Sequence, residues 1–122
     1  MPRVVKDAEF AKSARKSSIS DTSLMTAVSE VERGLVDAYL GGSVFKKRVA
    51  REGAGKSSGF RVIVAVKSGE KSFFIHLFAK NKRANIDQRE LADLKEYAKI
   101  LLGMSDEQIR MALDAGALEE II

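Results

Sequence analysis

The chain has 122 residues, 45% apolar and 31% charged, which suits one folded core and excludes a disordered or low-complexity chain. It contains no cysteine, which removes disulfide frameworks and thiolate metal sites. The net charge of +4 is unevenly spread, because residues 104–122 hold five acids and one base, and the rest of the chain therefore carries +8. Concentrated positive charge beside a small core points to a polyanion partner, most commonly nucleic acid. No apolar run approaches the roughly 20 residues of a membrane helix. The segment MPRVVKDAEF lacks a signal-peptide core, so a cytoplasmic location without membrane association is expected.

In chain order, Arg3–Lys6 reads as a short strand and Asp7 as the cap of a helix over Ala8–Lys16. KSSISD is a loop. A second helix starts near Ser20, with Ile19 and Leu24 as a hydrophobic staple and Leu24, Val28, Val31 and Leu35 as its buried stripe, and ends at Gly34. Gly41-Gly42 breaks the chain. Residues 44–50 form a strand, EGAGKSSG a flexible connection, and FRVIVAVK a strongly β-prone strand. SGEK turns into SFFIHLFAK, making a hairpin whose second strand is apolar on both faces and so belongs at the centre of a covered sheet. Asp87 with Glu90, and Ile86 with Leu91, open a helix with Leu91, Leu94, Ala98 and Leu101 inward, ending at Gly103. Ser105 and Gln108 cap a shorter helix that Gly116 stops, and ALEEII supplies an edge strand. The expected class is α+β: a small antiparallel sheet flanked by N-terminal and C-terminal helices, one domain over 1–122 with a helix-plus-tail extension from about 104.

The chemistry concentrates in VFKKRVAREGAGKSSGFR, residues 44–61, which holds six cations against Glu52. Strand alternation puts Lys46 and Arg48 on one face and Lys47 on the other with Phe45 and Val49. Arg61 lies opposite Phe60, Val62 and Val64. If its strand pairs with 44–50, it meets Lys46, Arg48 or Arg51. Lys80, Lys82 and Arg83 follow the next strand. The plain alternative is a solvated face with scattered cations. A gathered cluster instead gives a phosphate-binding groove, or a site that cleaves RNA through its 2′-hydroxyl. Arginine suits the dianionic phosphorane because its fork matches phosphate oxygens and stays charged. A lysine of the 46–47 pair could move the proton where neighbouring cations destabilise its ammonium. The single histidine, His76, reads as a half-buried structural residue on the face of Phe74 and Phe78. A metal site is not expected, since no second histidine or cysteine exists and no acids lie near His76 in sequence, and no cofactor is expected. GAGKSSG lacks the spacing and the following helix of a phosphate-binding loop.

These segments, together with DAEFAKSARKSSISD, ERGLVDAYLGG, FAKNKRANI and LDAGALEEI, resemble the RelE/ParE superfamily of toxins from type II toxin–antitoxin systems, and within it the RelE-like subgroup. The resemblance implies a ribosome-dependent endoribonuclease that cuts mRNA and arrests translation. By position it implies catalytic roles for Lys46, Arg48, Arg61 and Arg83, and RNA-phosphate contacts for Lys47, Arg51, Lys80 and Lys82. It implies a cognate antitoxin with a helix-turn-helix domain, a toxin–antitoxin hetero-oligomer, and the ribosome and mRNA as partners. Many RelE-type enzymes carry an aromatic residue near the C-terminus, whereas the tail here has none and Tyr97 falls within a helix. A gyrase-inhibiting ParE-like toxin and a non-catalytic RNA- or antitoxin-binding module are the alternatives.

Overall fold

The computed structural model describes residues 2–49, 59–79 and 86–121. The elements are β1 (Arg3–Asp7), α1 (Ala8–Lys16), α2 (Asp21–Glu32), β2 (Ala38–Gly41), β3 (Val44–Val49), β4 (Phe60–Lys67), β5 (Lys71–Ala79), α3 (Gln88–Leu102), α4 (Asp106–Asp114) and β6 (Leu118–Glu120). They form an α+β fold around one six-stranded sheet, ordered β2-β3-β4-β5-β1-β6.

The helix boundaries follow local chemistry. The Asp7 carboxylate accepts from the Phe10 amide, Ser20 Oγ from Ser23, and Asp87 from Glu90, each satisfying an otherwise orphaned helix N–H. Ser105 and Gln108 make the reciprocal capping box of α4. The α2 stripe stops at Val31; Leu35 lies beyond the helix end and is 51% exposed, contrary to expectation.

Both faces of the sheet are covered. Val4, Val62, Val64 and Phe74 pack with Phe10, Leu24 and Val28 of α1 and α2. Val5, Val44, Ile63, Ala65 and Phe73 pack on the other side with Ala98 and Leu101 of α3 and Ile109 of α4. Phe73 and Phe74 are fully buried on opposite faces. Each contributes about 1.5–3 kcal/mol by leaving water. This explains why β5 is apolar throughout and sits between β4 and β1.

Three further features depart from the sequence expectations. β2 is an additional strand. It forms a hairpin with β3 through Gly41, Gly42 and Ser43, all at positive φ, and a Cβ on Gly41 would sit 2.9 Å from Lys95 Nζ. β1 joins β5 in parallel, although every other pairing is antiparallel. Between β4 and β5 the register shifts: Ile63 faces His76 and Val64 faces Phe74, so Ile75 is an extra residue and β5 bulges. Phe74 consequently packs against α1 and α2 while Phe78 packs on the α3 side. The shared face expected for Phe74, His76 and Phe78 is therefore split, and His76 turns toward α3, where its Nε2 lies 3.5 Å from Glu90 Oε2.

Candidate functional site

β3 and β4 pair so that Arg48 stands directly opposite Arg61, and Lys46 opposite Ile63. Ile63 packs on the α3 side, so side-chain alternation assigns Lys46, Arg48 and Arg61 to that same face. Across β5 the rows continue: Arg61 faces Phe78, and Ile63 faces His76. Three of the cations singled out from the sequence are thus neighbours on one face, at the end of the sheet where β3 finishes and β4 begins.

Like charges directly across a strand pair destabilise it. Here a carboxylate intervenes. Asp37 Oδ2 lies 3.0 Å from Arg61 Nε and 3.8 Å from Arg48 Nε. The Arg61 side chain is only 10% exposed, a burial that an unpaired guanidinium would not tolerate. Arg48 is about half exposed, and Lys46 makes no ion pair with a described residue. The Asp37 amide donates to the Lys46 carbonyl at 2.9 Å, which fixes this acid against β3 where the bend after α2 enters β2. Sequence reasoning missed Asp37. Its position depends on β2, whose four residues Ala38–Gly41 show no strand period of their own.

Lys47 goes elsewhere. Alternation sends it to the α2 face, where its Nζ lies 2.8 Å from Glu30 Oε1, with side chains 8% and 16% exposed. It is separated by the sheet from Lys46 and Arg48, so the expectation that it joins the phosphate contacts finds no support in its placement. Arg51, Lys80, Lys82 and Arg83 lie outside the described residues. Ala79, the last residue of β5, pairs with Phe60, the first residue of β4.

A groove of about 360 Å³ at this end is lined by Ser13 and Ser17 of α1 with Phe60, His76 and Phe78 among others, and none of Lys46, Arg48 and Arg61 lines it. A larger one, about 640 Å³, lies at the opposite end of β3 and β4, beside Gly42, Ser43, Lys67, Lys95 and Lys99. A phosphodiester is matched by convergent forked donors, and among the described residues the cross-strand arginines, Arg48 and Arg61, stand at the first end.

A family model described as the RelE toxin of the RelE/RelB toxin–antitoxin system matches residues 2–121. The chain belongs to the RelE toxin family. Membership makes it the toxin of a toxin–antitoxin pair, with a cognate antitoxin as partner. A search of curated proteins finds no match. Among the described residues, no helix of this RelE-family toxin is long and apolar enough to cross a membrane.

Proposed function

We propose that this RelE-family toxin is an endoribonuclease that cuts mRNA on the ribosome, in the cytoplasm, and so arrests translation. The observation that carries the reading is the cross-strand pair Arg48–Arg61 with Lys46 on the same face. Two adjacent arginines present several N–H donors to one phosphodiester. As the 2′-oxygen attacks phosphorus, negative charge builds on the non-bridging oxygens, and donors fixed in advance stabilise it more than they stabilise the ground state. Lys46, beside them and without an acidic partner among the described residues, takes the proton-transfer role, and Lys47 does not. Arg83 supplies a further phosphate contact, with Arg51, Lys80 and Lys82 holding the flanking strand. The step uses the substrate's own hydroxyl: the 2′-oxygen bonds to phosphorus as its proton passes to a basic side chain, the bond from phosphorus to the 5′-oxygen breaks, and that oxygen leaves with a proton from a cationic side chain, giving a 2′,3′-cyclic phosphate.

The cognate antitoxin, a protein with a helix-turn-helix domain, covers this cationic face and blocks RNA. The test is induction of the protein in cells followed by mapping of mRNA 5′ ends at codon resolution. New ends clustered within translated codons support the reading. An SOS response with intact mRNA transfers the chain to the gyrase-directed alternative, and absence of growth arrest transfers it to the non-catalytic one.

A further inference from the structure

Arg61 meets Asp37 side-on. The nearest approach of the carboxylate is to Nε, the side of the guanidinium, at 3.0 Å. Of the Nη atoms, Nη1 makes, among the described residues, a long contact to its neighbour's carbonyl, Phe60 O at 3.5 Å. A guanidinium has five N–H groups in a fixed plane, so a contact at Nε orients the remaining four without consuming them. The same oxygen is 3.8 Å from Arg48 Nε, so one acid touches the side of both cations. Asp37 is itself held by the bond from its amide to the Lys46 carbonyl, so the carboxylate is tied to the strand that carries two of the three site cations.

From this geometry we infer that Asp37 is a positioning residue: its carboxylate stays on Arg61 Nε while the Nη end of that arginine receives the RNA phosphate. The inference rests on the nuclease reading above and adds a residue to it. Asp37 touches neither substrate nor reacting atoms. It offsets the repulsion that would drive Arg48 and Arg61 apart, and it fixes the plane in which Arg61 meets the phosphate. It also lowers the local positive charge, so its presence weakens raw attraction for RNA while improving alignment. An acid that served only to stabilise the fold would not produce these two opposed effects.

The opposition supplies the test. In single-turnover cleavage on ribosomes programmed with a defined mRNA, Asp37→Asn should lower the saturating rate by about tenfold or more, as misaligned groups do. The half-saturating protein concentration should stay level or fall. Binding of a short RNA with a 2′-deoxy sugar at the cleavage point should show a salt slope steeper by roughly 0.7, the increment for one additional effective cation on a single strand. A wild-type rate overturns the inference, and so does a slower rate accompanied by weaker binding and a lower melting temperature. If Asp37→Asn does not fold, the wild-type protein decides by NMR. The Arg61 Nε–Hε resonance should be protected from exchange and should stay in place during titration with the deoxy-substituted RNA. An unprotected resonance, or one that moves as RNA displaces the carboxylate, overturns it. If wild-type protein fails to cleave on ribosomes, the nuclease reading falls, and the NMR experiment still judges the Asp37–Arg61 geometry separately.

Discussion

Replacing Lys47 by Met tests whether the cations of β3 serve two purposes. The Lys47 ammonium sits 2.8 Å from Glu30 Oε1, and both side chains are mostly buried, 8% and 16% exposed. Removing one partner of such a pair leaves the other charge poorly solvated, which destabilises by roughly 3–5 kcal/mol. Glu30 retains some solvent, so the lower end, ~3 kcal/mol, is expected. For a chain of this length that is a fall of about 10–15 °C in melting temperature. Replacing both residues, Lys47→Met with Glu30→Leu, removes both charges and should return stability to the wild-type value or above it. Thermal unfolding followed by circular dichroism on the wild type, both single variants and the double variant closes the cycle. Cleavage on programmed ribosomes provides the second readout, and the double variant should cut at the wild-type rate. The reasoning fails if Lys47→Met loses less than about 1 kcal/mol, well under the buried-pair range. It also fails if the double variant folds normally but no longer cuts, since Lys47 would then belong to the site.

The remaining expectations are smaller in scope. Arg61→Lys keeps the positive charge and removes the planar fork, so cleavage should fall by about tenfold or more with little loss of RNA affinity; an undiminished saturating rate would place the phosphate elsewhere. Arg3 donates to Glu120 through Nε at 2.8 Å and Nη2 at 3.1 Å, which holds the Glu120 carboxyl below the usual carboxylate range despite the opposing effect of burial. A lowered folded value means that the contribution is complete above the ordinary range near ~4.3 and is lost as pH falls through the folded value. Glu120→Gln should therefore be less stable than wild type by about 0.5–1 kcal/mol at neutral pH, because the pair is partly exposed, with the gap closing on acidification. A gap that persists in acid would contradict this. Burial first, and then its hydrogen bond to Asp7, raise the Tyr97 phenol above the ordinary tyrosine value. Its contribution is present below pH ~10 and is lost as pH rises through the raised folded value. Tyr97→Phe should cost about 1 kcal/mol at neutral pH and should remove a late-ionising phenol from the alkaline absorbance titration.

The elements legible in the sequence are those whose signals are local. Asp7, Ser20, Asp87 and Ser105 cap their helices as side-chain chemistry predicts, and the hairpin of β4 and β5 follows from β-branched residues around a Gly turn. Period-two alternation also divided Lys46 and Arg48 from Lys47 correctly, because β3 runs without interruption from Val44 to Val49. It failed on β5, where one extra residue at Ile75 reverses the faces that follow and moves His76 to the α3 side. The parallel pairing of β1 with β5, the strand β2 and the position of Asp37 depend on residues far apart in the chain. No local pattern encodes them. Glu30 illustrates the same limit: its helix reads clearly, but its partner on β3 appears only once α2 is laid on the sheet.

The two faces of β3 carry charges in two different settings, and the proposed nuclease reading assigns function to only one of them. Lys47 has an acid of its own on a helix that packs over it, an arrangement that fixes α2 and leaves little donor capacity for a ligand. Arg48 and Arg61 share one carboxylate between two guanidiniums, directly across from one another. Placing like charges in that register works against strand pairing, and a β-branched residue such as Thr or Val at either position would suit the strands better. A local choice that opposes the fold, partly offset by a single acid, is what a binding site for an anion requires: the surplus charge is left for the ligand to neutralise. Under the proposed reading, RNA supplies negative charge that Asp37 alone does not give Lys46, Arg48 and Arg61 among the described residues. Salt dependence of cleavage should accordingly reside in Lys46, Arg48 and Arg61 and be indifferent to the Lys47–Glu30 pair on the other side of the same strand.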